Sequence, residues 1–201
     1  TATVNLTGKA VKALEGTWEL VTDASILKNG DQVIIAAKES NIALSTTQNN
    51  NNRAGVEVTK SDNTISATSA TQVLTLVDTE DSDVPFALQA GSSYLYAASS
   101  SGNQLKTKST LDDHGKWVIT ITDGIASVVA SKSSNRNVMQ YNPNNGNPIF
   151  TCYSSASQSA LSLYRKAGAK YNVTVNSTTN GTVTADPTSA EAGTTITLTV
   201  T

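Results

Sequence analysis

Three short stretches decide the fold of this chain: Val73-Leu74-Thr75-Leu76, Lys116-Trp117-Val118-Ile119 and Ala160-Leu161-Ser162-Leu163. Each carries two large apolar residues two positions apart, which is the period of a strand with one face in the core. Their leading apolar residues stand 43 and 44 positions apart along the chain. Such even spacing indicates an internal repeat. We therefore interpret Leu74, Trp117 and Leu161 as the anchors of a unit that occurs three times.

The rest of the strand pattern fits three units of four strands. Apolar alternation between Gly-, Asn-, Asp- and Ser-rich turns predicts strands, and the first of them stands outside the repeats. Threefold repetition of a four-strand unit predicts an all-β chain with a β-trefoil-like closed barrel, whose interior holds the anchors and whose closure leaves no open edge. A β-sandwich with accidentally even spacing is the alternative. The thirteen predicted strands are Thr17–Val21, Gln32–Ala37, Ile42–Thr46, Gly55–Thr59, Val73–Val77, Pro85–Gln89, Tyr94–Ala98, Gln104–Thr107, Lys116–Ile121, Ala126–Ala130, Asn137–Tyr141, Ile149–Tyr153 and Ala160–Arg165.

The composition changes near Ala167-Gly168-Ala169, where small residues without periodicity are typical of a short linker. We therefore expect a β-trefoil-like domain at 1–167 and a small β module at 168–201. The chain begins without Met and ends inside an alternating run, so we expect a piece of a longer multi-module protein.

Two short helical segments are predicted near the start of the chain. Apolar residues at positions 6, 10, 11 and 14 favour a helix over Leu6–Leu14. Asp23–Leu27 is expected to form one helical turn with Asp23 or Thr22 as its cap.

The last module has a recognisable pattern. A Tyr171-Asn-Val-Thr-Val strand precedes Asn180-Gly181-Thr-Val-Thr and Ala192-Gly-Thr-Thr-Ile-Thr-Leu198. This part resembles the opening of the divergent internalin-type B-repeat of bacterial surface and secreted proteins. The family unit continues into a Gly-Tyr-x-Phe and Trp segment that is missing here, so the resemblance implies a truncated module with an unpaired edge. We expect it to pack poorly alone, or to lean on the first domain or a neighbouring copy.

The first domain resembles accessory modules of secreted multi-domain proteins from gut anaerobes. In such proteins the module lies C-terminal to a nuclease or another catalytic domain, or in surface proteins. The resemblance implies an accessory role, an extracellular or cell-surface location in a bacterium, and neighbouring modules of the same chain as partners. The matching pieces are Leu20-Val-Thr-Asp-Ala-Ser25 with Gly30-Asp-Gln-Val-Ile-Ile-Ala36, Asn135-Arg-Asn137 with Gln140-Tyr-Asn142, and Leu161-Ser-Leu-Tyr-Arg-Lys166.

Composition excludes two classes of partner. Lys plus Arg is 14 against 16 for Asp plus Glu, a net charge of -2, whereas a nucleic-acid surface needs clustered cations. No apolar run approaches the roughly 20 residues of a membrane span. Thr, Ser and Asn supply 71 of the 201 residues, which suits exposed sheet faces and turns. We expect no nucleic-acid binding and no membrane insertion.

The sequence contains few residues suited to catalysis or metal binding. The single histidine, His114, follows Asp112-Asp113 in a predicted exposed turn, and the single cysteine, Cys152, allows no intrachain disulfide. One Cys and one His cannot form a zinc site by themselves. The acidic run 78–83 could gather oxygen ligands for Ca²⁺, but it lacks the glycine and distal glutamate of an EF-hand loop. We expect no catalytic residue, no metal and no cofactor.

The aromatic and amide residues carry the functional hypothesis. Carbohydrate sites combine an aromatic face with aimed neutral hydrogen-bonding groups, and such residue types cluster in two strand regions. Each tyrosine could instead be core, and Arg53 and Arg136 could brace loops rather than bind. We expect a non-catalytic module that binds a glycan, with a purely structural spacer as the alternative. The candidate residues are Tyr94, Tyr96, Arg136, Asn137, Gln140, Tyr141 and Asn142.

Overall fold

The protein is all-β. The computed structural model describes residues 7–11, 17–98, 101–133, 135–144, 147–168, 170–175, 181–191 and 193–201. Within these ranges helical structure is limited to two 3-10 turns, Ala24–Ile26 and Asp113–Gly115. The strands are β1 Thr7–Val11, β2 Thr17–Leu20, β3 Gln32–Ala37, β4 Ile42–Gln48, β5 Arg53–Glu57, β6 Thr59–Ser61, β7 Thr64–Ser66, β8 Leu74–Asp78, β9 Phe86–Ala90, β10 Ser93–Tyr96, β11 Lys106–Lys108, β12 Lys116–Thr122, β13 Ile125–Val129, β14 Val138–Asn142, β15 Ile149–Tyr153, β16 Leu161–Lys166, β17 Lys170–Thr174, β18 Val183–Asp186, β19 Ser189–Glu191 and β20 Thr197–Val200.

Each of the thirteen predicted strands overlaps an observed one, with ends that differ by at most two residues. The predicted turn after Thr22 is also confirmed: Asp23 caps it by accepting a hydrogen bond from Ser25 N at 2.8 Å. The hairpin β6–β7 was not predicted from the sequence; it turns through Asp62 at a φ of 48°.

The predicted helix over Leu6–Leu14 is wrong where it can be compared. Residues Thr7–Val11 form β1, which pairs antiparallel with β17; Leu6 and Lys12–Leu14 lie outside the described residues. A helix this short is marginal by itself. Pairing with a strand from the other end of the sequence supplies hydrogen-bond partners for the backbone instead of a helix.

Six strands pair in a closed cycle. Strand β3 pairs with β8, β8 with β9, β9 with β12, β12 with β13, β13 with β16, and β16 again with β3, always antiparallel. Between the two cycle strands of each predicted repeat lies one of the hairpins β4–β5, β10–β11 and β14–β15. The first predicted repeat also contains the hairpin β6–β7.

The three anchors share one core. Leu74, Trp117 and Leu161 are fully or almost fully buried, and all three belong to the same cluster of packed apolar side chains. The indole of Trp117 also donates a hydrogen bond to Leu95 O at 3.2 Å, so its one polar atom is satisfied in the interior.

Strand β3 is buried on both faces. Alternate residues Val33, Ile35 and Ala37 pack into the main core, whereas Ile34 and Ala36 enter a second cluster that includes residues of β2, β7 and β16. The continuous apolar run of β3 follows from this double burial.

The chain divides into two compact units, Trp18–Lys166 and the combination of Thr1–Thr17 with Ala167–Thr201. In the second unit β17 pairs with both β1 and β19, and β18 pairs with β20. Strand β1, which the predicted domain 1–167 includes, thus pairs with a strand of the predicted module 168–201.

Candidate functional site

A groove in the Trp18–Lys166 unit is lined largely by asparagine. It encloses about 480 Å³ between the β4–β5 turn and the beginning of β15. This volume lies within the roughly 300–1,000 Å³ of small-molecule sites. None of its lining residues is charged; they are Asn49–Asn52, Ala54, Gly55, Asn147, Pro148 and Ile149.

The turn that forms one wall is held by hydrogen bonds. Asn49 N donates to Asn52 O at 2.8 Å, and Asn49 Nδ2 donates to Asn52 Oδ1 at 2.7 Å. Gln48 Nε2 donates to the carbonyl oxygens of both residues at 2.8 Å. Leu105 N, from the second repeat, donates to Asn51 O at 2.9 Å. The wall is therefore fixed before any ligand arrives.

Three groove amides retain their hydrogen-bonding capacity. Asn50, Asn51 and Asn147 are exposed, and their side chains make no hydrogen bond with another described residue. Each side-chain amide offers two donors and one acceptor oxygen. The groove thus presents neutral donors and acceptors above an apolar floor that includes Ala54 and Ile149.

Gly55 lets the two walls approach each other. Its N donates to Pro148 O at 2.8 Å. A Cβ at this position would lie 2.5 Å from Ile42 Cγ2 and 3.3 Å from Pro148 O. The glycine is needed here for close approach rather than for a special φ.

The predicted aromatic pair lies on β10. Tyr94 and Tyr96 are half-buried, and Lys108 Nζ stands over the Tyr96 ring at 5.0 Å from its centroid. Lys108 also pairs with Asp112. Among the described residues neither tyrosine contacts the candidate residues at 136–142 through a hydrogen bond or ring contact, so these two candidate regions are not joined into one site.

The polar candidates at 136–142 bond within the protein. Arg136 Nη1 donates to Asn103 Oδ1. Asn142 Nδ2 donates to the Tyr153 hydroxyl, and Asn142 Oδ1 accepts from Asn144 N, both at 2.8 Å. Asn137 is half-buried, and its carbonyl accepts from Ala130 N at 3.0 Å.

Two further candidates are buried. Tyr141 is 5 % exposed, and its ring packs against Phe150 with centroids 5.1 Å apart. Gln140 is 6 % exposed, and its Oε1 accepts from Gln158 N at 2.9 Å. The Tyr141 position agrees with the core alternative for the tyrosines.

Arg53 occupies the interior. It is 3 % exposed and donates to Ser45 O, at 2.9 Å from Nη2, and to Gln72 Oε1. Burial lowers the pKa of its guanidinium. These contacts tie the β4–β5 hairpin to the segment before β8, as the loop-bracing alternative for this arginine predicts.

His114 lies in the exposed turn before β12. Its Nδ1 is 2.8 Å from Ser133 Oγ, and its backbone N donates to Asp112 Oδ1 at 3.1 Å. A nucleophile and a base do meet here, but in the described part of the chain no carboxylate bonds to the imidazole to orient it, as a catalytic triad requires. Burial raises the pKa of the other reactive side chain, the Cys152 thiol.

In the acidic run 78–83, Asp81 forms its contacts within the protein. Asp81 pairs with Lys132 and accepts from Asp83 N, and these hydrogen bonds lower the pKa of Asp81. No group of three or more His, Cys, Asp or Glu residues suited to a metal ion is found in the described ranges.

None of the groove residues is among the candidates predicted from the sequence. The available signal was that two asparagine-rich turns occur in different repeats. No protein-family model and no curated protein matches the chain. In the parts of the chain that are described, no helix is both long and apolar enough to cross a membrane.

Proposed function

We propose that the chain is a non-catalytic accessory module that binds a neutral carbohydrate in the asparagine-lined groove. The observation that carries this proposal is the exposure of Asn50, Asn51 and Asn147 around one 480 Å³ groove without a charged lining residue. Sugar hydroxyls need paired donors and acceptors, and side-chain amides offer both.

The rigidity of the groove wall supports binding rather than mere solvation. Ordering a mobile loop costs free energy on association. Here Gln48 and Leu105 already hold the Asn49–Asn52 turn, so little of that cost remains. Ligand contacts would come from amides, with the apolar floor taking a sugar's C–H face.

The finer fold in this proposal is a β-trefoil. Its support is the six-strand cycle, the shared core of the three anchors and one recurrent backbone contact. In every repeat the second strand, or the residue after it, meets the loop just before the anchor strand. These contacts join Ser45 with Thr71, Ala97 with His114, and Tyr141 with Ser159.

The setting is also part of the proposal. We place the module in a secreted or cell-surface bacterial protein, beside other modules of the same chain, on the strength of the sequence resemblances alone. One further candidate function has a specific observation behind it, since the burial of Tyr141 removes a predicted stacking face. That observation favours a spacer that presents a neighbouring domain.

A glycan array with the full chain separates the two functions. Binding to a neutral glycan that is lost in the Asn50→Ala/Asn147→Ala double variant supports the proposal. The matched control is Asn41→Ala, an exposed asparagine outside the groove. An array without signal above background for every sugar class contradicts binding and leaves the spacer function.

A further inference from the structure

We propose that a second, smaller groove in the Trp18–Lys166 unit binds the acetamido group of an N-acetylated sugar. This inference rests on the proposed function, because it narrows the carbohydrate class. It uses a separate set of residues, so it can fail while the asparagine groove still binds. The groove encloses about 170 Å³ and is lined by parts of β13, β14 and β16 with the loop between β15 and β16.

The groove lies where the sheet opens. Strand β13 pairs with β14 only at Val129 and Val138, and with β16 only at Ala126 and Leu161. Strands β14 and β16 therefore separate along this edge of β13. Ala126, Met139 and Leu161 are buried and line the groove, which gives it an apolar floor.

One buried amide supplies an oriented donor. Gln140 lines the groove, and its Oε1 accepts from Gln158 N at 2.9 Å. That bond fixes the amide orientation, because a flipped amide would turn two N–H groups toward another donor. Gln140 Nε2 donates to no described residue.

The side-chain nitrogen of Gln140, Nε2, is accessible to solvent. Among the described residues, the fully enclosed side-chain polar atoms without a partner are Ser40 Oγ and Thr151 Oγ1. Gln140 Nε2 also lacks a partner, but it is not fully enclosed, even though the residue as a whole is only 6 % exposed. Because Gln140 lines the groove, its remaining N–H groups serve a ligand there.

The chemistry of the groove selects the ligand group. No lining residue is charged, so an ion would lose hydration without compensation. A donor beside an apolar floor fits a carbonyl oxygen joined to a methyl group. The volume is below the ~300 Å³ of whole-ligand sites. It therefore accepts one substituent, such as acetamido, and leaves the sugar ring outside.

The single methionine of the chain gives a direct probe. Met139 lines the groove, and no other methionine occurs, so methyl-¹³C-methionine labelling yields one signal from the full chain. We expect that signal to shift saturably with N-acetylglucosamine and to stay unchanged with glucose or glucosamine. N-acetyl-lysine tests the other common source of the same group, and we expect it to produce a weaker response.

Two variants locate the response. Gln140→Leu removes the donor and should weaken N-acetylglucosamine binding about fivefold to tenfold, the effect of one neutral hydrogen bond. It also removes the acceptor for Gln158 N. A second variant, Ala156→Leu, avoids this loss. It narrows the groove at an exposed residue, where a larger side chain does not disturb the core, and Ala156→Ser is its matched control.

The outcomes separate this inference from the proposed function. If N-acetylglucosamine binds by calorimetry while the Met139 signal stays fixed, the second groove is excluded and carbohydrate binding stands. If glucose shifts the signal equally, or if Ala156→Leu leaves the shift intact, acetamido recognition is wrong. An equal or stronger response to N-acetyl-lysine overturns the sugar as its source. Absence of any sugar binding overturns both proposals.

Discussion

Two polar stretches of this protein look alike in sequence and differ in what their side chains do. In the Asn49–Asn52 turn the backbone is bonded internally, and the amides of Asn50 and Asn51 face solvent. At 136–142, by contrast, Arg136 and Asn142 use their side chains to hold neighbouring residues. The first stretch keeps hydrogen-bonding capacity for a ligand, whereas Arg136 and Asn142 in the second use theirs for stability.

Residue type alone therefore does not identify a binding site. A polar side chain binds a ligand only if its donors and acceptors are still unpaired in the folded protein. At a buried position they are almost always paired. Each prediction that follows tests this division between side chains that stabilise the fold and side chains that remain available.

The largest expected effect is at Arg53. Replacement by Met leaves the buried acceptors Ser45 O and Gln72 Oε1 unpaired, and hydrogen bonds to a charged group contribute about 1.5–3 kcal/mol each. Relief of guanidinium desolvation offsets part of the loss. We expect Arg53→Met to lower the free energy of unfolding in urea by about 3 kcal/mol. The matched variant Arg136→Met, at a half-buried site, should cost below about 1 kcal/mol. Equal losses would contradict the comparison.

Gly55 should rank second. Gly55→Ala places a methyl group 2.5 Å from Ile42 Cγ2, and overpacking of this kind costs about 1–3 kcal/mol. Because Pro148 also has to move, glycan binding in the asparagine groove should fall together with stability. Gly30→Ala is the matched control: its Cβ would have no heavy atom within 4 Å, but its φ of 87° strains any residue with a Cβ, so it should lower stability without affecting the groove. Unchanged binding in Gly55→Ala would show that wall spacing is unimportant.

A smaller contrast separates two asparagines. Asn142→Ala loses its bonds to Tyr153 Oη and Asn144 N and should cost about 1 kcal/mol in urea unfolding. Asn50→Ala should change stability by less than about 0.5 kcal/mol and weaken glycan binding. The opposite pattern, in which Asn50 stabilises and Asn142 binds, would reverse the assignment of the two stretches.

The smallest effect concerns acid sensitivity. Lys132 and Asp83 N lower the pKa of Asp81 in the folded state. Its contribution to stability is therefore present above the unfolded pKa, ~3.9, and is lost as the pH falls through the lower folded value. Lys132→Gln should flatten this part of the pH profile of unfolding. Because the pair is exposed, salt should flatten it as well; a profile insensitive to both changes would contradict the ion pair's role.

Most of the strands could be predicted from local pattern because the alternation of apolar and polar residues lies within each strand segment. The pairing of Thr7–Val11 with Lys170–Thr174 escaped because it joins opposite ends of the sequence. The β6–β7 hairpin escaped because Ile65 is its one buried apolar residue. Both are consequences of long-range or sparse contacts that periodicity does not register.

The candidate site was harder to predict for a related reason. Tyr141 alternates as a strand residue, but alternation does not say whether both faces of that strand are covered, and here Phe150 covers the ring. The groove depends on Pro148 of the third repeat approaching Gly55 of the first. A contact between two segments so far apart in the sequence depends on the tertiary fold and cannot be predicted from either segment alone.

The proposed binding of a neutral glycan by the unpaired groove amides can be followed residue by residue. The observable is the set of side-chain ¹⁵N–¹H signals of the full chain during titration with the strongest glycan from the array. We expect Asn50, Asn51 and Asn147 to shift together along one saturation curve while Asn142 stays fixed. Saturation with all three groove signals unmoved, or with Asn142 responding in their place, would contradict it.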